Sequence, residues 1–160
     1  MIRLPITDNA IAWARMKTTL FDTQKTHDKL ACKTNYIGLL GEKLFSDYLH
    51  KIGVTHDWHE FIKPDYDEAD YNIQGESVDI KTTFDTKMWI QRADHDIYIF
   101  TRVNQDLTEL FIIAYITKKE LQGLMDKGKL DVVERDGRQD YTVKIKQLHP
   151  IEELIKRWET

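Results

Sequence analysis

From Asp8 to about Thr23, apolar residues recur at Trp13, Met16 and Leu20, the spacing of one helical face, and Thr7 or Asp8 is placed to cap that helix. A polar joint, Thr26 to Asn35, leads to a second periodic segment from about Tyr36 to Lys51 that stops at Gly53. The period then shortens towards two. Trp58 to Ile62 reads as a short strand, Tyr71 to Ile73 and Val78 to Thr83 flank Gln74-Gly75-Glu76 as a hairpin, and Asp96 to Val103 and Leu110 to Ile116 are apolar and β-branched enough for buried strands. Thr117-Lys118-Lys119-Glu120 carries the capping-box pattern of a helix running to about Met125 and ending before Gly128. Lys129 to Val133 and Tyr141 to Ile145 form a peripheral hairpin around Asp136-Gly137. Pro150 suits the first position of a last helix, whose apolar stripe is Ile151, Leu154, Ile155 and Trp158.

This order predicts an α/β fold, a central mixed β-sheet flanked by helices. With no repeat and no Pro/Gly-rich linker, residues 1–160 are expected to form a single domain. Its parts are an N-terminal helical segment 1–35, a core of about 36–125, and a C-terminal hairpin and helix 126–160.

Composition narrows the class. The chain is 41% hydrophobic and 31% charged, as in ordinary globular proteins, and its apolar runs are too short to cross a bilayer, so no membrane association is expected. Met1 to Pro5 lacks the apolar region of a secretory signal, and the single cysteine, Cys32, excludes an internal disulfide framework. Both point to an intracellular, cytoplasmic setting. A net charge of −4 gives no general attraction to a polyanion. Acids cluster from Asp57 through Glu60, Asp65, Asp67 and Glu68 to Asp70, and most of that run reads as a solvated loop.

Candidate chemistry begins at Val78-Asp79-Ile80-Lys81. Strand alternation sends Val78 and Ile80 to one face and Asp79 and Lys81 to the other, roughly 6–7 Å apart. A two-residue turn at Gln74-Gly75 sets Asp70 opposite Asp79. A turn at Gly75-Glu76 sets Asp70 opposite Lys81, and a three-residue loop breaks the alignment. Two adjacent carboxylates repel one another and raise a pKa unless a cation lies between them, which is a physical reason to look for a metal. Mg²⁺ suits such a gap, because it takes oxygen ligands, retains waters and needs only one or two protein carboxylates. In the second helix Gly38, Phe45, Leu49 and Ile52 form an apolar arc, with Glu42 at its edge and Lys43, Ser46, Asp47 and His50 opposite. A charge bordering the core is costly unless paired or bound, although Glu42 can also reach solvent or a lysine.

Together these residues resemble the PD-(D/E)XK nuclease superfamily. The matching segments are Gly41-Glu42 within Gly38-Leu-Leu-Gly-Glu-Lys-Leu-Phe, Asp70 within Ala69-Asp70-Tyr71-Asn72-Ile73, and Asp79-Ile80-Lys81 followed by Thr82-Thr83. The resemblance spans about residues 36 to 116 and implies a restriction-endonuclease-like core. Its literal Pro-Asp dipeptide is Pro64-Asp65, but Asp70 adjoins the strand and hairpin and is preferred. The resemblance further implies a metal-dependent endonuclease that hydrolyses DNA phosphodiester bonds and leaves 5′-phosphates. Asp70, Asp79 and the Ile80 carbonyl would hold Mg²⁺, for which Mn²⁺ substitutes. Glu42 would ligate directly, through water or to a second metal, and Lys81 would orient or help deprotonate the attacking water and stabilise the transition state. An exonuclease or junction resolvase on the same core is the alternative enzyme, and a non-catalytic nucleic-acid-binding or assembly module is the alternative of another class.

The expected partner is DNA, with a homodimer needed if both strands are cut. Lys87 and Gln91, four apart, reach substrate phosphate if their segment is helical, although a polar surface face is the favoured explanation of them. Trp89 and Arg92 suit stacking on or binding a nucleic-acid strand, or for Trp89 the core. Arg15, Lys17, Lys25, Lys29 and Lys33 are candidate phosphate contacts. His56 and His59 lack the further ligands of a zinc site, Cys32 and His27 do not make a supported nucleophile pair, and no glycine-rich phosphate loop implies a nucleotide cofactor.

Overall fold

A computed structural model describes residues 1–22, 29–59, 69–135 and 137–160, with side chains left undescribed at 20–22, 29–35 and 135. Ile2–Pro5 is β1, Asp8–Asp22 α1 and Lys29–Lys51 α2. Five further strands follow: Asp57–Trp58 (β2), Tyr71–Ile73 (β3), Glu76–Thr83 (β4), Lys87–Ile90 (β5) and Ile97–Val103 (β6). Glu109–Thr117 (β7), Lys118–Asp126 (α3), Asp131–Arg135 (β8), Arg138–Lys144 (β9), His149–Pro150 (β10) and Ile151–Glu159 (α4) complete the order.

The main sheet runs β1-β7-β6-β4-β3-β2, with β10 also paired to β7. Its β4–β6 pair is parallel, Asp79 opposite Tyr98 and Lys81 opposite Phe100, and its other pairs are antiparallel. This is the mixed sheet flanked by helices that the element order predicts. Strand β6 is buried almost throughout because both sheet faces are covered. Val78, Ile80, Ile97 and Ile99 pack with Leu40, Phe45, Leu154 and Trp158 of α2 and α4. On the opposite face Tyr98, Phe100 and Ile116 pack with Leu121 of α3 and with Met88, Ile90 and Val143 of a second sheet, β5-β9-β8.

Local chemistry explains the helix ends. The Thr7 hydroxyl accepts the Ala10 N–H at 3.1 Å, and Thr117 and Glu120 form the expected capping box of α3. Helix α2 ends in a Schellman arrangement, with Val54 N–H to Leu49 C=O at 2.9 Å, Gly53 N–H to His50 C=O at 3.1 Å, and Gly53 at φ 78°.

Several elements differ from expectation. Helix α2 begins at Lys29, within the expected polar joint, and strands β1 and β5 stand where none is predicted. The buried line of α1 is Ala10, Ala14 and Thr18, whereas Met16 is 54% exposed, because small side chains let α1 lie close on α2. Ser46, placed on the polar side, is buried against His56 Nε2 at 2.8 Å. Pro150 sits at the N-cap of α4 rather than inside it, since its ψ of 134° keeps it extended and paired with Ala114 of β7. Strand β2 ends at Trp58, and residues 60–62 of the expected strand lie outside the described residues. Among the described residues, no helix is long and apolar enough to cross a membrane.

One glycine fixes the distance between α2 and the sheet. A Cβ on Gly41 would lie 1.9 Å from Thr82 Oγ1, so the helix rests directly on β4 one residue before Glu42. In an exposed helix Gly→Ala adds about 1 kcal/mol of stability, but here the clash reverses the sign. Gly41→Ala is expected to lower unfolding free energy by about 2 kcal/mol in urea titration, and adding Thr82→Ala to recover part of the loss.

Candidate active site

The site is built by a turn. Gln74 (φ 50°) and Gly75 (φ 82°) both occupy the left-handed region, as a two-residue type I′ hairpin requires, and the pairing runs Tyr71 to Val78, Asn72 to Ser77 and Ile73 to Glu76. Of the two registers open to the sequence, this is the one that brings Asp70 level with Asp79. Strand β3 begins at Tyr71, and the Asp70 side chain just before it extends its edge by accepting the Ile80 N–H at 2.7 Å. Because N–H and C=O of one strand residue point to the same side, the Ile80 carbonyl faces this margin too.

Both aspartates are 7% exposed. Lys81 Nζ lies 2.5 Å from Asp79 Oδ2, with the lysine side chain 37% exposed, so the cluster opens to solvent on the lysine side. The ammonium therefore caps Asp79 Oδ2, a buried oxygen with no other partner among the described residues. Burial, then repulsion from Asp70, pushes the Asp79 carboxyl up to about 7 despite Lys81. For Lys81, burial works to lower the pKa, but attraction to Asp79 outweighs it and leaves the ammonium above the ordinary lysine value.

Glu42 is arranged differently. Its helix covers the Val78 and Ile80 face of β4, opposite to Asp79 and Lys81, and Glu42 Oε2 accepts the Trp58 Nε1 hydrogen at 3.2 Å. The Tyr71 hydroxyl donates to the Glu42 carbonyl and is held well above its ordinary pKa by burial, then by Glu42 and Asp70. Glu42 therefore reaches the margin of the site through Trp58 and Tyr71. Among the described residues, no three acidic, histidine or cysteine side chains gather closely enough to hold a metal by themselves. What the structure does assemble is two buried carboxylates, one of them capped by the Lys81 ammonium, and a strand carbonyl on the same side. That oxygen-only donor set fits a hard cation that retains waters and does not fit zinc.

The weaker candidates scatter. Lys87 opens β5 and Gln91 follows it, so they are not on one helical face; they stand on an extended segment paired with β9. Trp89 donates to Asp85 at 2.9 Å, and Arg92 pairs with Asp94 at 3.4 Å. The Lys33 side chain, Asp65, His27 and the Cys32 side chain lie outside the described residues. His56 is engaged by Ser46 and the Val54 carbonyl, and His59 by the Ala69 carbonyl. Trp58 and Tyr98 stand beside the site without being among the site residues expected from the sequence. Tyr98 lies beside Asp79, with its hydroxyl taking the Asp94 and His95 N–H groups and donating to the Arg92 carbonyl. The alternation of β6 was the available signal for Tyr98, and Trp58 had none beyond its place next to the acidic run.

No protein-family profile and no curated protein sequence matches the chain. Among solved structures it is similar to a nuclease from a fusselovirus, at 14% identity and a TM-score of 0.44, over 82% of this chain and 94% of that one.

The raised Asp79 pKa has a sign. A carboxyl protonated up to about 7 when folded, but with an ordinary value when unfolded, stabilises the metal-free protein below about pH 4 and loses that contribution as pH rises through 7. In EDTA, the stability of the wild type relative to Asp79→Asn is expected to fall by a few kcal/mol between pH 4 and 8, as read from urea midpoints. A flat difference would show that Asp79 is ionised throughout.

Proposed function

We propose that this protein is a metal-dependent nuclease that hydrolyses DNA phosphodiester bonds internally and leaves 5′-phosphates. The observation that carries the reading is the buried Asp70–Asp79 pair with the Lys81 ammonium at its solvent mouth. A structural ion pair would not need a second buried carboxylate beside it, since that carboxylate raises the cost of ionising the first.

Asp70, Asp79 and the Ile80 carbonyl would hold Mg²⁺ or Mn²⁺, which supplies Lewis acidity towards water and the scissile phosphate. The chain's own groups do the rest. Asp70 is oriented by the Ile80 N–H and cannot swing away without leaving that donor buried and unpaired. Lys81 is held protonated by Asp79, so it acts as a fixed cation rather than as a base: it draws the phosphate into the mouth and stabilises charge gathering on phosphorus oxygens as water enters and the 3′-oxygen departs. Glu42, on the α2 face and engaged by Trp58, takes a smaller part.

Supercoiled plasmid supplies the test. Wild type is expected to nick or linearise it with Mg²⁺ or Mn²⁺ and to be silent in EDTA. Lys81→Ala, Asp79→Asn and Asp70→Asn should each lose on the order of 100-fold or more in rate, and Glu42→Gln less. Cutting of linear DNA but not closed circles would favour the exonuclease, and metal-independent binding with no cutting would favour the binding module.

A further inference from the structure

Beside the site lies a ridge of rings and cations that the proposed chemistry does not use. Trp13 of α1, Tyr36 of α2 and Trp58 of β2 are all half-buried. The Arg15 guanidinium stands 5.2 Å from the Tyr36 ring centre, and the Lys17 and Lys43 ammonium groups stand 5.9 and 5.3 Å from that of Trp13. Trp13 meets Trp58 at 5.8 Å, and Trp58 lies nearly parallel to the fully buried Tyr71 at 6.4 Å and 18°. In a chain of net charge −4, three cations seated on rings of α1 and α2 concentrate positive charge there.

We propose that this ridge, Arg15, Lys17 and Lys43 on Tyr36 and Trp13, binds the single-stranded part of a nucleic-acid substrate; this rests on the nuclease reading. Each cation is already seated on a ring, so little side-chain freedom is lost when a phosphate arrives. The Arg15 guanidinium, lying over Tyr36, presents its other planar surface to a base. Half-exposed rings interleaved with cations suit a single strand, whose bases are free to stack, better than a duplex, whose bases face inward. Lys43 also pairs with Asp47 at 3.1 Å, and Glu42 is engaged by Trp58, so the nearby acids are partly neutralised.

The test measures binding apart from cleavage. Fluorescence anisotropy in EDTA would compare a labelled oligothymidylate of about twenty nucleotides, the same sequence as a duplex, and an oligouridylate, over a range of salt. The proteins are wild type, the triple variant R15Q/K17Q/K43Q, and K118Q/K119Q/K127Q, which removes the same charge on and just after α3. Wild type should prefer either single strand to the duplex. The ridge variant should bind single strands about tenfold or more weakly, with the slope of log affinity against log salt reduced by about 2, while the α3 variant stays near wild type. A ridge variant that melts at lower temperature but binds as wild type shows that the cation–ring pairs only fasten α1 to α2, and overturns the proposal. An equal loss in both variants, or tighter binding of duplex, overturns it as well. In cleavage of a single-stranded substrate the ridge variant should raise KM and leave kcat close to wild type. If wild type binds through the ridge but cuts nothing with Mg²⁺ or Mn²⁺, the nuclease reading falls alone; if it cuts and the ridge variant keeps its KM, the ridge falls alone.

Discussion

Two carboxylates held side by side away from water repel each other, and a protein tolerates this only if the backbone leaves them no alternative. Here the constraint is the β3–β4 hairpin. Its two left-handed turn residues fix a register in which Asp70 and Asp79 meet across the strands, and the Ile80 N–H pins one of them. The apolar packing of Val78 and Ile80 against α2 keeps β4 from turning over, so the repulsion cannot be relieved by exposing Asp79 on the other face. Lys81 offsets part of the cost, and the remainder appears as the raised pKa of Asp79. The site is thus poised for positive charge in a way that the average charge of the chain does not reveal.

The parts of this arrangement that depend on nearest neighbours were legible in the sequence. The alternation of Val78-Asp79-Ile80-Lys81, a hairpin around Gln74-Gly75-Glu76 and the Thr117–Glu120 cap are short-range rules, and each is realised. The sequence left two hairpin registers open because Gly75 can serve in either turn; the observed φ angles decide between them. What it could not show depends on partners distant in the chain. Lys87–Ile90 has no strong strand pattern and is extended because β9 pairs with it. Helix α2 runs back to Lys29 over residues without apolar periodicity. The direction of the Glu42 carboxylate follows from Trp58, which arrives on β2. The face of α1 differs from the expected one for a related reason: large residues set the expected stripe, whereas close packing of two helices selects Ala10 and Ala14.

The two faces of the main sheet divide the work. On one side α1, α2 and α4 supply the bulk of the apolar core, with Gly41 allowing α2 to touch Thr82 and the Thr82 and Thr101 hydroxyls meeting at 2.6 Å. On the other, a smaller cluster around Tyr98, Phe100 and Met88 lies alongside Asp79 and Lys81. This second layer limits water around the aspartates while leaving the lysine side open, and burial of this kind strengthens every electrostatic interaction within it.

That second layer is assembled out of chain order. Strand β4 reaches its parallel neighbour β6 by way of β5, yet β5 is hydrogen-bonded not to the main sheet but to β9, far downstream. During synthesis, therefore, the aspartates and their hairpin are made well before the segment that closes over Met88 and Ile90. Until β9 arrives those residues have no strand to pair with, and such long-range closure is the slow kind of step in folding. The last third of the polypeptide acts as a seal on a centre already laid down.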